Sequence, residues 1–144
     1  MDKQTTEARI IHYLQEREEI LFAFVFGSFL TRDNYRDIDI ALFFKDPPGL
    51  MELGLIHTEL GEILQTKIDI VPLNGLPEKS PVMAHQVAST GKILKNSDEE
   101  ALVDFRENTM RHYFDTEYLR RQMNKAFEKR LDKHAFGKRN FLMD

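Results

Sequence analysis

Residues 26–44, FGSFLTRDNYRDIDIALFF, decide how this chain is read. The second half alternates acid with aliphatic side chains: Asp37, Ile38, Asp39, Ile40, followed by Ala41, Leu42, Phe43 and Phe44. Successive side chains of a β-strand point to opposite faces, so Asp37 and Asp39 share one face while Ile38 and Ile40 point into a core. The first half closes a different element. Leu21–Phe26 is a short, continuously apolar run, the pattern of a buried strand. Gly27-Ser28 ends it, with Ser28 placed to cap the turn or short helix FLTRD. Asp33-Asn34 marks a turn before the acidic strand. Downstream, KIDIVPL (67–73) repeats the alternation, with Asp69 between Ile68 and Ile70. If these two acidic strands are neighbours, Asp37, Asp39 and Asp69 converge on one open face beside the Gly-Ser turn.

The rest of the chain supplies helices around such strands. Residues 5–17 carry Ile10, Ile11 and Leu14 on one side of a helix. Pro47-Pro48 end the acidic strand. Leu50, Leu53, Ile56, Leu60 and Leu64 then recur at helical spacing up to Gln65, with Gly54 and Gly61 either weakening that helix or letting it pack closely. After a loop, LNGLPEKS, Ser80-Pro81 opens a helix that stops at Gly91, and KILK reads as a short edge strand. Ser97-Asp98-Glu99-Glu100 has the form of a capping box. It opens a last helix reaching about Lys133, with or without a break, on the spacing of Leu102, Phe105, Met110, Tyr113, Phe114, Leu119, Met123, Phe127 and Leu131. Gly137 is the expected stop, with a mobile end after it.

At 144 residues, 42% hydrophobic and 31% charged, the composition fits one globular domain with a real core. We read residues 1–96 as an α/β core and 97–136 as a helical extension. The absence of cysteine removes disulfides and thiolate metal sites and fits a cytoplasmic protein. The polar N-terminus lacks a signal-type apolar stretch, and no run is long enough to span a bilayer, so a membrane role is not expected. Residues 1–100 hold 10 Lys/Arg against 17 Asp/Glu, whereas residues 101–144 hold 10 against 7. An acidic core therefore precedes a mildly basic tail, the pattern of a partner surface or of a solvated helix.

Three convergent carboxylates beside a Gly-Ser turn suit divalent cations that hold a nucleoside triphosphate. Paired Asp residues on one strand face draw two cations together, and a third Asp completes one shell and helps to orient or deprotonate a nucleophile. Gly27 lets a phosphate approach the backbone because no Cβ intervenes. The Ser28 hydroxyl and the amides after it can donate to phosphate oxygens. The constellation reads as a phosphoryl-transfer site.

FGSFLTRDNYRDIDIAL with KIDIV downstream resembles the minimal nucleotidyltransferases of the polymerase β superfamily. It is most similar to the small antitoxin subgroup (MNT, or MntA-type) paired with HEPN ribonuclease toxins. The resemblance spans roughly residues 5–95. It implies an α/β, polymerase β-like fold: a small mixed sheet flanked by helices, with a long C-terminal helical tail. It further implies that Gly27 and Ser28 hold the triphosphate of ATP, that Asp37 and Asp39 bridge two Mg2+ ions, and that Asp69 binds the catalytic one. The acceptor it implies is a tyrosine hydroxyl on a HEPN toxin, which AMP transfer would neutralise. Only eight residues, Phe29 to Arg36, separate Ser28 from Asp37, fewer than is common in the family. Arg32 and Arg36 are therefore left unassigned as triphosphate ligands; Lys67 shares strand parity with Asp69 but reads equally as a solvated strand end, and is left unassigned too.

Three other readings are open to the same sequence. A catalytically silent antitoxin would neutralise by binding alone, through the apolar and basic tail. A small-molecule nucleotidyltransferase ordinarily needs an added acceptor domain, for which this chain has little room. Nucleic-acid end extension would use the basic stretch Arg120, Arg121, Lys125, Lys129, Arg130 and Lys133, but a pI near 5.7 argues for a weaker interaction. His12, His57, His85, His112 and His134 show no metal-ligand spacing, and His57 reads as a surface or half-buried helix residue. The amphipathic tail leaves a homo-oligomer or hetero-oligomer open.

Overall fold

The computed structural model of the chain describes residues 2–134. Six helices and four strands follow in the order α1 (Lys3–Gln15), β1 (Ile20–Phe26), α2 (Ser28–Thr31), β2 (Ile38–Phe44), α3 (Leu50–Leu64), β3 (Ile68–Pro72), α4 (Leu76–Lys79), α5 (Pro81–Thr90), β4 (Lys92–Asn96) and α6 (Glu99–His134). The strands form one sheet in the order β3-β2-β1-β4. β1 lies antiparallel to β2 and β4, whereas β2 and β3 run parallel, joined by the α3 crossover. This is the small mixed sheet expected from the resemblance.

The strand alternation divides the core into two layers. Ile38, Ile40, Leu42 and Phe44 of β2 face α1 and α3 together with Ile20, Ala23 and Val25 of β1. Phe22, Phe24, Phe26 and Ala41 face the other way, toward Leu76, Ala84, Val87, Leu102 and Phe105. Phe22 stacks on Phe43 at 4.7 Å between ring centroids. Each fully buried side chain of this size contributes roughly 1.5–3 kcal/mol by leaving water. Helix α1 is tied to α3 through Glu59, which accepts from the Tyr13 hydroxyl at 2.6 Å and pairs with Arg17. Burial, and then that bond, push the Tyr13 hydroxyl above its ordinary range.

Both sheet rims are occupied by side chains. On β4, Lys92 pairs with Glu7 at 2.6 Å, and the Lys95 ammonium donates to the Leu14 and Arg17 carbonyls at 2.9 and 2.6 Å. On β3, the strand ends at Pro72, which has no N–H to offer. Just beyond it, the Asn74 side chain exchanges two 2.9 Å bonds with the backbone of Phe44 and so imitates one more strand residue.

Several expectations are corrected. Residues 76–79 form the short helix α4 rather than loop; Gly75 turns the chain at φ 74° and Pro77 supplies a first-turn residue that needs no N–H donor. The capping box does not form as written. Ser97 donates its hydroxyl to the Leu21 carbonyl at 2.9 Å, so Asp98 takes the cap and accepts from Ala101 N–H at 3.0 Å. Helix α6 runs unbroken for 36 residues. The expected stop at Gly137 and the end after it lie outside the described residues. Among the described residues no helix is long and apolar enough to cross a membrane.

Gly54 and Gly61 are not sites of close packing, because a Cβ at either would meet nothing within 4 Å. Each therefore only lowers helix propensity. Alanine at either position should stabilise the fold by about 0.5–1 kcal/mol, a rise in melting temperature of roughly 2–4 °C in a calorimetric scan. Thr109 buries a hydroxyl that has no partner among the described residues. Thr109→Val should therefore stabilise by about 1 kcal/mol, the desolvation of one unpaired hydroxyl, as a higher urea midpoint at unchanged slope.

Candidate active site

The acidic face is built by strand register. In the parallel β2–β3 pair, Ile38 stands beside Ile68 and Asp39 beside Asp69. Ile38 N–H donates to the Lys67 carbonyl at 3.1 Å, which pins this register at its first rung. With Ile38, Ile40 and Ile68 fully or almost fully buried on the core face, the intervening carboxylates must share the opposite one. Asp37 sits one residue ahead of the first residue of β2, two positions from Asp39 and on the same parity. Asp39 is central, since its neighbour on the other side is Phe26 of β1.

The electrostatics of the face follow from this placement. The Asp39 carboxyl is held above the ordinary carboxylate range, first by partial burial, then by the Asp69 charge and a hydrogen bond with Asp69, and finally by the Asp37 charge. Asp37 and Asp39 are half-buried and Asp69 is exposed, so the cluster opens on solvent. Among the described residues no three acidic or imidazole side chains already stand in metal-holding geometry.

Gly27 is the other wall. It adopts φ 79°, ψ −153°, and occupies the cap position ahead of α2. A Cβ there would run into Asp39 Oδ2, with Asp39 Cγ 3.3 Å away. The backbone of the Gly-Ser turn therefore lies directly against the central carboxylate. Ser28 is the first residue of α2 rather than its cap, which corrects the expectation. Its hydroxyl reaches 3.5 Å toward the Asp37 carbonyl, linking the turn to the start of the acidic strand. Gly27, Ser28, Asp37, Asp39 and Asp69 thus lie at one end of the sheet. Arg32, Arg36 and Lys67 are exposed.

Sequence reasoning missed the support behind this face. His57 Nε2 makes a 3.0 Å bond with the Ile68 carbonyl, holding β3 from its outer edge one residue before Asp69. The only signal was the position of His57 on the crossover helix, which carries no spacing rule. Lys3 lies 5.5 and 5.7 Å over the rings of Phe29 and Tyr35, whose edge contact spans the loop between α2 and β2. A separate cavity of about 470 Å³, lined by Phe43, Leu73, Asn74, Asp104, Phe105 and Asn108 among others, lies toward the opposite ends of β2 and β3.

Hard oxygen donors on one face, beside a backbone that admits no Cβ, suit the phosphoryl-transfer class of protein. Residues 8–100 match the family model described as polymerase beta, nucleotidyltransferase, and the chain belongs to that family. Its fold is also that of chains in solved toxin–antitoxin complexes. One is a chain of MntA–HepT, at TM-score 0.67 and 23% identity, covering 85% of this chain and 97% of that one. A second comes from a tri-AMPylated Shewanella oneidensis HEPN toxin in complex with MNT antitoxin, at TM-score 0.68 and 24% identity over 86% and 97%. A third belongs to a toxin–antitoxin complex with AMP-PNP, at TM-score 0.69 and 24% identity over 83% and 96%. No curated protein sequence matches the chain.

Gly27→Ala tests the wall. The new methyl meets Asp39 and the residue must hold a left-handed φ, at a cost of about 1–2 kcal/mol of stability. Displacing the central carboxylate should also slow nucleotidyl transfer by at least about 100-fold. Single-turnover kinetics below the lowered melting temperature separate the two effects.

Proposed function

We propose that this chain is a metal-dependent nucleotidyltransferase that moves AMP from ATP to a tyrosine hydroxyl of a HEPN-type toxin, and so acts as an antitoxin. The observation that carries the reading is the pairing of Asp39 with Asp69 across β2 and β3, with Asp37 beside them and the Gly27 backbone against Asp39. The antitoxin part rests on the fold shared with chains of MNT and HEPN complexes, one of them with a tri-AMPylated toxin. A cytoplasmic setting and a division into a catalytic core over residues 1–96 and a helical extension over 97–136 belong to the same reading.

The donor set fits Mg2+. Three neighbouring carboxylates, with Asp39 raised first by partial burial and then by the Asp69 and Asp37 charges, are hard oxygen ligands whose crowding a divalent cation would relieve. Bound there, two Mg2+ ions would stabilise charge on the attacking and leaving oxygens of the transfer. Asp37 and Asp39 would hold both ions, and Asp69 would hold the one nearer the acceptor. Gly27 admits the triphosphate to the backbone, and the Ser28 hydroxyl donates to its oxygens. The acceptor oxygen bonds to the α-phosphorus as the bond to pyrophosphate breaks. The tyrosine proton leaves toward Asp69, which lies on the exposed side of the cluster.

One observation favours a second reading, an antitoxin that works by binding alone: the apolar side chains Leu119, Met123 and Phe127 of α6 stand exposed. The two readings part in one experiment. Asp37→Ala/Asp39→Ala should cut transfer of label from α-labelled ATP to a HEPN-type toxin by at least about 1,000-fold while the complex still forms. A variant that neutralises the toxin as well as the parent chain would remove catalysis from the mechanism.

A further inference from the structure

Helix α6 outruns the body it packs against. Over its first half Leu102 and Phe105 are buried in the second core layer, Asn108 reaches Glu78 of α4 at 2.8 Å, and Tyr113 stacks on His85 of α5 at 3.8 Å. Leu119, Met123 and Phe127 then continue the same stripe: Met123 and Phe127 fall within the roughly 60° arc set by Leu102, Phe105 and Thr109, and Leu119 widens it to roughly 100°. Beyond the body these three stand 59%, 70% and 45% exposed. A helix this long does not carry a core-type stripe past its own core without something to cover it.

Charge selects what covers it. Residues 117–131 hold five basic residues, Arg120, Arg121, Lys125, Lys129 and Arg130, against Glu117 and Glu128, a net +3. Residues 1–100 carry 10 basic against 17 acidic residues, a net −7. A second copy laid helix against helix would set +3 on +3. An RNA strand would pair its phosphates with the basic residues but leave the apolar stripe in water. An acidic protein groove with an apolar floor avoids the first penalty and covers the stripe as well.

We infer that residues 117–131 form a docking helix for an acidic, apolar-floored groove on the acceptor protein. Leu119, Met123 and Phe127 enter the groove and the basic residues pair with carboxylates along its rim. The inference rests on the reading above that the acceptor is a separate HEPN-type protein. It assigns acceptor affinity to a surface away from the carboxylates, so the helix governs KM rather than the chemical step.

The test uses the full chain and a purified HEPN-type toxin as probe. Nucleotide-free binding is followed by calorimetry at two salt concentrations, and AMP transfer from ATP is measured separately. Met123→Asp/Phe127→Asp should weaken binding at least about 30-fold and raise KM for the toxin, with kcat at saturation held within about twofold. Lys125→Glu/Lys129→Glu, which leaves the apolar stripe intact, should weaken binding and flatten its salt dependence. Unchanged binding and KM in both variants, or no binding by the parent chain, overturns the proposal. So does a parent dimer that the apolar variant makes monomeric, which names a second copy as occupant, or salt-sensitive RNA binding lost in both variants. A parent chain that binds tightly and transfers nothing defeats the catalytic reading and leaves the docking helix standing.

Discussion

The acidic face depends on the parallel pairing of β2 with β3. Adjacent strands stand about 4.8 Å apart, where two carboxylates repel by about 3 kcal/mol at an effective dielectric near 20. Asp39 and Asp69 occupy paired positions under that repulsion, and the burial on the reverse of the same strands holds them there. Ile38, Ile40 and Ile68 together outweigh it, at roughly 1.5–3 kcal/mol each. A one-residue slip of β3 would turn Ile68 and Ile70 to solvent and drive Asp69 into the core. The hydrophobic layer is thus the spring that keeps like charges close.

Much of this was legible in the sequence, for a local reason. A period of two is unambiguous in RDIDIALFF and KIDIV, and Pro47-Pro48 and Pro72 bound the strands, so β2 and β3 appear within a residue of their expected limits. The apolar run of β1 and the helical spacing of α3 and α6 carry the same kind of signal. What alternation alone does not state is which strands are neighbours; the parallel β2–β3 register became evident only in the fold. The site residues Gly27, Ser28, Asp37, Asp39 and Asp69 were named because each sits at a strand end or on a strand face whose direction the pattern declares.

The features that escaped share a different character. His57 supports Ile68 from another element, 11 residues away, through a side chain meeting a backbone carbonyl. Asn74 completes the Phe44 backbone across 30 residues. Neither has a periodicity to reveal it, because a single polar contact needs one residue and one partner rather than a run. Ser97 and Asp98 illustrate the same limit. Both can cap α6, and the contest is settled by the Leu21 carbonyl, which claims the Ser97 hydroxyl.

The treatment of the sheet rims has a consequence for how the chain meets other chains. An open strand edge is a template on which foreign strands polymerise, and lysines, proline and side-chain cover are the usual deterrents. Here β4 carries Lys92, paired with Glu7, and Lys95, turned onto the Leu14 and Arg17 carbonyls, while β3 stops at Pro72 and is bonded from outside by His57. Strand addition is thereby disfavoured at both rims. A sheet with guarded rims cannot grow by strand addition into fibrils, and it leaves contact with other chains to the helices.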